Sequence, residues 1–316
     1  MFQERGVALL TALLVVALST IIAVGMVTRQ ALDVRRTANL LQSEQAWLYH
    51  MAVEDHAAPL IERYWDEIEL ITLERYEELT ALTTFGYQER VEGGVLGVEL
   101  VLDLESRFNP NNLIQGEQMV PVRMEILQRL LQQIEVEPEL VDALGDWIDP
   151  DQETRFNGAE DLYYQGLERP YRTADGPMVS LSELRLIRGV DSESYQKLLL
   201  WLMPLPSGSV LNVNWAGAEL LQALHPEIGS GEAELIIERR RQEPFESVEA
   251  FNNYIKSLPA AAGVVREVEP TLLGVSPGHF AIRTSLEMDT ITHRYQSILR
   301  RESDGTVTVL LRERVG

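Results

Sequence analysis

The chain has 316 residues, enough for more than one domain, and 45% of them are hydrophobic, as in a folded protein. It carries 49 acidic and 27 basic residues, a net charge of -22, which disfavours nucleic-acid binding by the chain as a whole. It contains no cysteine, which excludes thiol catalysis and thiolate metal sites.

The N-terminus carries a long apolar run. Between Val7 and Val27 there is no charged residue and no proline, and about 20 such residues cross a hydrocarbon core of about 30 Å as one helix. A secretory signal peptide has a shorter apolar core, about 7 to 15 residues, followed by a break in helical character. Here helix-favouring residues continue to Ala58. The pattern predicts one helix from Val7 to about Ala58 that anchors the chain in a membrane.

The charges that flank this run leave its orientation open. Arg5 precedes it, whereas Arg29, Arg35 and Arg36 follow it, so the positive-inside rule is ambiguous or points the wrong way. Long domains cross a membrane largely regardless of their charge, and the portion that follows is large and acidic. We therefore expect a single pass with the C-terminal portion translocated.

A short leader ends in Arg5-Gly6, and Val7-Ala8-Leu9-Leu10 then opens the apolar helix. This order resembles the class III signal of type IV pilins and type II secretion pseudopilins. The resemblance implies that prepilin peptidase cuts between Gly6 and Val7 and that Val7 becomes N-methylated. Most members of the family have glutamate as the fifth residue of the mature chain. Thr11 stands there in this sequence, and the K minor pseudopilins characteristically lack that glutamate.

A physical reason makes the missing glutamate informative. A carboxylate in hydrocarbon is costly unless it is paired, so it is kept only where it meets an amine. A subunit at the tip of a filament has no subunit above it to supply that amine, so Thr11 is consistent with a tip position. The alternative is that Thr11 is an ordinary helix residue whose hydroxyl bonds back to its own turn.

After Pro59 comes an acidic segment, 60–79, with the composition of a helix, and then a predicted turn region from Thr83 to Gly97. The next stretch alternates with period two, which predicts a strand whose buried face is made by Val98, Leu100, Leu102 and Leu104. Asparagines around Pro110 end this strand with turn chemistry. A long helix followed by a strand is the order found in pilins.

From about Pro121 the pattern changes to short helices, predicted over 122–134, 138–148 and 180–203. Residues 211–254 resemble helix-hairpin-helix modules such as those of DNA-uptake receptors. Glutamates flank the hairpin glycines, where a phosphate would bind, and bracket the arginines at 239–241. Because carboxylates repel phosphate, a packing unit is favoured over a DNA site. A membrane-anchored helix-hairpin-helix nucleic-acid-binding protein is the alternative function.

The candidate binding site lies between these helices, in an acidic run around Gly158 that begins at Asp146. Calcium binds about six to eight oxygen atoms at about 2.3 to 2.6 Å, and alternating acidic residues in a loop bring several oxygens together. The spacing departs from the EF-hand loop, and a solvated acidic loop is the alternative. The candidate calcium ligands are Asp149, Asp151, Glu153, Glu160 and Asp161.

Four short motifs of this region, D-W-I-D-P-D-Q-E, G-A-E-D-x-Y-Y, P-Y-R and S-x-S-E-L, also resemble the K pseudopilin family. The resemblance implies a structural calcium ion, as in that family. The histidines are scattered, and no serine is paired with one in a pattern that suggests a nucleophile, so we expect no enzymatic activity. A membrane-bound hydrolase that uses the acidic cluster as its metal site is a further alternative.

The C-terminal residues return to strands. Residues 279–288 alternate, and 293–315 form a predicted hairpin with a type I′ turn at Asp304-Gly305 and with Val307, Val309 and Leu311 on one face. A sheet that begins before the helices and ends after them makes the helices an insertion. The predicted fold class is α+β: a long N-terminal transmembrane helix and a pilin-like antiparallel sheet, interrupted by a large inserted all-α domain with helix-hairpin-helix or SAM-like units.

The predicted domains are a prepilin leader at 1–6, the transmembrane part of the helix at 7–28, a pilin-like domain at 29–112 and 266–316, and the inserted helical domain at 113–265. The resemblance extends over essentially the whole chain and implies a K-type minor pseudopilin in the cell inner membrane, with its C-terminal domain in the periplasm. It would form the tip of the pseudopilus and prime its assembly for export of folded proteins. The implied partners are minor pseudopilins I and J, then H and the major pseudopilin G, and prepilin peptidase, with no nucleic acid.

Overall fold

The computed structural model describes residues 3–74, 84–258, 268–288 and 291–315. Its first element is helix α1, Gln3–Glu74, whose 72 residues span roughly 110 Å. The predicted helix is confirmed, but it continues past Pro59. A proline removes one backbone hydrogen bond and bends a helix without ending it when helix-forming residues follow. From Thr11 to Arg63, α1 is long and apolar enough to cross a membrane.

Five strands form an antiparallel sheet within the described residues. In chain order and in sheet order they are β1 (Thr84–Val91), β2 (Gly94–Val101), β3 (His279–Met288), β4 (Ile291–Arg301) and β5 (Val307–Arg314). The first two strands precede the helical region and the other three follow it, so β2 pairs with residues at least 180 positions later, as in Val101 with Ala281. This topology confirms the predicted α+β class. The exact domain boundaries stay predictions.

Seven α-helices lie between β2 and β3 in the described residues. They are α2 (Pro121–Gln133), α3 (Leu140–Ile148), α4 (Asp161–Gln165), α5 (Ser192–Trp201), α6 (Ala218–Leu224), α7 (Ser230–Gln242) and α8 (Val248–Ser257), and they share one apolar core. Short 3-10 helices occupy Pro110–Leu113, Leu181–Leu186 and Pro270–Leu272. The single helix predicted over 180–203 is therefore two elements, because Ser180 and Asp191 each cap a separate N-terminus.

The second half of α1 packs on one face of the sheet. Ala46 and Ile61 are buried against apolar side chains of β2, β3 and β4, namely Leu96, Phe280, Ile282, Leu286 and Leu299. The opposite face of the sheet packs on the helical region, where Met203 and Leu205 meet Val101, Ala281 and Ile298. The sheet is therefore buried on both faces over part of its area, with α1 on one side and the inserted helices on the other.

A buried polar network lies between α1 and the sheet. His50 contacts Thr284 Oγ1 through Nδ1 at 2.9 Å and Ser297 Oγ through Nε2 at 2.8 Å. Ser297 also donates to Glu54, which forms an ion pair with Arg312 at 2.7 Å. Rotation of α1 would leave these buried polar atoms without partners, so the network sets how the helix lies on the sheet.

The predicted strand with Val98, Leu100, Leu102 and Leu104 on one face is right only in part, because β2 ends at Val101 and Leu104 packs with Val101 on the face opposite Leu100. Two other sequence predictions about the sheet are wrong. Residues 84–97, within the predicted turn region, form the β1–β2 hairpin around Gly93, because an exposed edge strand lacks a clear apolar alternation. Thr83 lies outside the described residues. The turn before β5 is not type I′, since that turn needs positive φ at both central residues and only Gly305 has it, at 89°. The chain instead closes by a hydrogen bond from Gly305 N–H to Glu302 C=O.

A β-bulge corrects a third prediction. The pairing of β4 with β5 shifts between Ile298 and Leu299, so one extra residue is accommodated in β5. Val307 and Val309 consequently face α1, while Leu311 packs on the opposite face beside Ile298. The three residues predicted to share one face are therefore divided between the two faces.

Candidate metal centre

Three buried carboxylates meet where α3 ends and α4 begins. Asp146 lies in the last turn of α3, Asp149 directly follows that helix, and Glu160 directly precedes α4. One oxygen atom of each carboxylate lies within 4.8 Å of the others. All three residues are at most 2% exposed, so the cluster is shielded from water.

The local fold follows from the helix end and from one glycine. Asp146 and Asp149 are three positions apart, which places both carboxylates on one side of the end of α3. The chain then returns past Asp146 at Gly158, where an added Cβ would lie 1.9 Å from Asp146 Oδ2. Only glycine fits so close an approach. Arg188 holds this stretch in place, because its Nη1 donates to the Gly158 carbonyl at 2.7 Å.

Arg155 places a positive charge inside the cluster. Its Nη1 donates to Asp146 Oδ1 at 2.5 Å and also to Oδ2 of Asp149. Its backbone N–H donates to Asp146 Oδ2 at 3.2 Å. One guanidinium compensates only part of the charge of three carboxylates, so a further cation or a proton is needed to balance Glu160.

The unpaired oxygens of the cluster fit a divalent cation. In the part of the chain that the structure describes, Asp149 Oδ1 and both carboxylate oxygens of Glu160 are buried without a hydrogen-bond partner. Burial, reinforced by the charges of Asp146 and Asp149, raises the pKa of Glu160 to about 8. Burial also raises the pKa of Asp149, against the opposing effect of Arg155. Calcium binds such oxygens and would remove the electrostatic cost of burying them.

The structure brings together two of the five candidate ligands, Asp149 and Glu160. Asp151 and Glu153 are exposed, and Asp151 accepts a hydrogen bond from the backbone N–H of Glu153 at 2.8 Å. Asp161 points elsewhere, because its Oδ1 accepts bonds from the backbone and side chain of Thr173, both at 3.0 Å. Sequence reasoning left Asp146 out of the ligand set, although its helical spacing from Asp149 was a usable signal.

The helix-hairpin-helix region is formed by α6 and α7. At the hairpin, the carboxylate of Glu232 accepts a bond from the Gly229 N–H at 3.1 Å and occupies the N-terminus of α7, where a phosphate would bind. Arg239 binds Glu243 at 2.8 Å, and buried Arg240 donates to the Val213 carbonyl at 2.7 Å. Arg239 and Arg240 are therefore engaged within the chain, and the preference for a packing unit over a DNA site stays a prediction.

The processing residues lie near the start of the chain. Gly6 and Val7 belong to the first turns of α1, and Thr11 lies on its exposed surface. Cleavage between Gly6 and Val7, methylation of Val7 and the significance of Thr11 stay predictions.

Comparisons with known proteins agree over almost the whole chain. Two profiles of the family described as type II secretion system (T2SS), protein K match residues 106–207 and 211–276. Type II secretion system protein K of Pseudomonas aeruginosa is 33% identical over 98% of this chain and 92% of the relative. That of Aeromonas hydrophila is 31% identical over 98% and 97%.

The fold is also similar to a solved structure. A chain in the crystal structure of the GspK-GspI-GspJ complex from enterotoxigenic Escherichia coli superposes with a TM-score of 0.69 and 22% identity, over 89% of this chain and 99% of that chain. Together with the matches to protein K, this long N-terminal helix on an antiparallel sheet with inserted helices identifies a minor pseudopilin of type II secretion. The chain belongs to the type II secretion system protein K family. These comparisons give no support to a nucleic-acid receptor.

Proposed function

We propose that this minor pseudopilin forms the tip complex of the periplasmic pseudopilus with the I and J minor pseudopilins and primes its assembly for export of folded proteins across the outer membrane. The observation that carries the proposal is the division of α1. Residues 11–40 are exposed, whereas Ala46 and Ile61 are packed on the sheet. This free half of α1, residues 11–40, can lie in the bilayer before assembly and contact other subunits after assembly.

The composition of the free half suits both the lipid bilayer and contact with other subunits in the filament. Its exposed side chains are largely apolar, including Leu14 at 69% and Ile21 at 69% exposure. No acidic or basic residue lies between Val7 and Met26, so this half can stay in the inner membrane with the C-terminal portion in the periplasm. Prepilin peptidase would release Val7 as the mature N-terminus and allow the helix to leave the membrane for the filament.

The inserted helices support a position at the tip. They cover the face of the sheet opposite α1, which widens the subunit on the side away from the filament core. A helical stack of identical wide subunits would clash, whereas one such subunit at the end has free space above it. The H minor and G major pseudopilins would then follow below the complex with I and J. The role is structural rather than enzymatic.

Calcium has a structural part in this proposal. Asp146, Asp149 and Glu160 would hold the ion, which would supply the positive charge that Arg155 alone does not provide. Because these ligands come from the end of α3 and the start of α4, the bound ion would tie the loop 149–160 across its ends. The bound ion would stabilise the inserted helices and would not create a reactive centre.

The test is co-elution of the full chain with full-length I and J in detergent, in calcium and in chelator. We expect one ternary peak, with thermal stability that falls in chelator. Glu160→Gln should lose the calcium dependence, whereas Glu153→Gln, an exposed change in the same loop, should keep it. Absence of a ternary peak in both conditions would overturn the tip proposal. A ternary peak whose stability ignores chelator would overturn only the calcium part.

A further inference from the structure

A cleft of about 590 Å³ separates the inserted helices from the face of the sheet that is opposite α1. Its walls come from the 3-10 helix at 181–186, from α5 and from strands β3, β4 and β5. Apolar side chains such as Leu199 and Ile298 make part of the lining. We call this space the Arg107 cleft, after one of the residues that line it.

The Arg107 cleft is basic although the chain is strongly acidic. Four arginines line it, Arg107, Arg185, Arg283 and Arg314, against the single carboxylate of Glu313. The whole chain has 49 acidic and 27 basic residues, so an excess of arginine in one cleft is the reverse of the overall balance. A local positive field of this kind attracts anions.

Arg107 is buried without a direct ion pair in the part of the chain that the structure describes. It is 7% exposed, and among the residues that the structure describes its guanidinium makes no ion pair and no hydrogen bond. Burial and the neighbouring charge of Arg283 lower its pKa to about 10, against the attraction of Asp103. A buried charge with no partner is costly, so its retention needs a reason outside the isolated chain.

The acidic groups near Arg107 are already engaged. Asp103 accepts bonds from the backbone N–H groups of Glu105 and Ser106 through Oδ1 and from Asn212 through Oδ2. Glu313 accepts a bond from Gln296 at 3.1 Å. Both carboxylates are therefore already hydrogen-bonded, although Asp103 still attracts Arg107 and Glu313 still attracts Arg283.

Arg283 supplies a second cationic group to the same cleft. Its Nε donates to Gln296 Oε1 at 2.6 Å, and its Nη1 lies 3.6 Å from Glu99. The Glu99 contact joins the neighbouring strands β2 and β3 and is partly exposed, so it leaves part of the guanidinium charge uncompensated. Both guanidinium groups line one cleft, and the planar donors of a single guanidinium suit a planar anion that binds through two oxygens.

We propose that Arg107 and Arg283 form a binding site for a carboxylate group in this cleft. The carboxylate comes either from an acidic side chain of a polypeptide or from a free carboxylic acid. Its two oxygens accept the donors of the Arg107 guanidinium, and the apolar walls cover the carbon chain that carries it. This site is separate from the metal cluster, whose Arg155 is already paired with Asp146 and Asp149.

The test is isothermal titration calorimetry on the full chain in detergent at fixed ionic strength. One set of titrations compares sodium succinate with sodium chloride. The other compares the peptide Ac-Ala-Leu-Asp-Leu-Ala-amide with the same peptide carrying asparagine in place of aspartate. Arg107→Met and Arg283→Gln remove the two donors. Arg294→Gln is the control, because Arg294 is exposed on the same face of the sheet and does not line this cleft.

We expect saturable carboxylate binding that weakens at least about tenfold in Arg107→Met and stays unchanged in Arg294→Gln. Binding of succinate identifies a free carboxylic acid as the ligand, and binding of the peptide alone identifies an acidic side chain. Should Arg107→Met fail to fold, Arg283→Gln carries the same expectation. No carboxylate binding in either arm, or equal binding by the Arg107 and Arg294 variants, overturns the proposal.

Discussion

Nη1 of Arg155 lies 2.5 Å from Oδ1 of Asp146, so a guanidinium stands within the cluster proposed to bind calcium. Its contact with Asp149 makes it a bridge between the two carboxylates. Replacing it leaves buried carboxylates that another cation or a proton must compensate. A bound calcium ion and Arg155 would therefore both offset the repulsion among the buried carboxylates.

Arg155→Gln is expected to lower the free energy of unfolding by about 2 kcal/mol in chelator, with a smaller loss in saturating calcium. The reason is that bound calcium can neutralise the carboxylate charges that the guanidinium neutralised before. Thermal unfolding of the full chain in both conditions measures this. Arg172→Gln is the control, since Arg172 is exposed and lies 3.6 Å from Asp161. An equal loss with and without calcium would contradict the prediction.

Gly158→Ala is expected to destabilise the chain by about 2 kcal/mol or more and to abolish its response to calcium. The new Cβ would lie 1.9 Å from Asp146 Oδ2, so either the loop or the carboxylate must move. Gly176→Ala is a matched change in a nearby loop, where the nearest atom would be 3.7 Å away. Unfolding by denaturant compares the two variants, and similar stabilities would refute the assigned role of Gly158.

Arg312→Met is expected to cost about 2 kcal/mol at neutral pH, because it leaves the buried carboxylate of Glu54 without its cation. Burial would raise the pKa of Glu54, but the bonds from Arg312 and Ser297 outweigh it and lower that pKa below 4.5. The ion pair therefore contributes its stability above about pH 4.5 and loses it as the pH falls through the folded pKa. The difference between wild type and variant should shrink in acid.

Urea unfolding at about pH 7 and pH 3.5 measures that difference. Arg300→Met is the control, because Arg300 pairs with Glu302 in a more exposed position. A difference between wild type and Arg312→Met that stays constant in acid would show that the lost interaction is not the pair with Glu54.

His50→Gln is expected to flatten the pH dependence of stability between about pH 7.5 and pH 5.5. Burial lowers the pKa of His50 below its ordinary 6.5, despite the opposing charge of Glu54. The unfolded chain therefore binds a proton at a higher pH than the folded chain, and wild-type stability falls as the pH drops through 6.5. His56→Gln, an exposed change on the same helix, should keep the wild-type slope. Parallel slopes in all three proteins would exclude His50 as the cause.

Gly6→Leu is expected to block cleavage by prepilin peptidase, so the chain keeps its six-residue leader. Intact mass of the membrane-extracted protein distinguishes the uncut chain from one that begins at methylated Val7. Gly25→Leu, farther along the same helix, should mature normally, because nothing lies within 4 Å of an added Cβ there. Normal maturation of Gly6→Leu would remove the basis for assigning the cleavage site.

The sheet illustrates how far local pattern predicts structure. Strand β3 was predicted from its alternation, and the prediction is confirmed, because Phe280, Ile282 and Leu286 share the face that packs on α1. Strand β1 is an exposed edge strand with little apolar alternation, and it was missed. The bulge that turns Leu311 away from Val309 depends on pairing with β4 and has no signal within β5 itself.

The sequence by itself determined the features that depend on neighbours along the chain: the apolar helix, the motif around Gly6, the α+β class and the acidic region around Gly158. Tertiary structure alone decided which carboxylates converge, because residues Asp149 and Glu160 meet only after Gly158 lets the chain return past Asp146. It also decided that Arg107 and Arg283 line the same cleft, since burial and charge compensation depend on residues that are far apart in sequence and meet only in the folded chain.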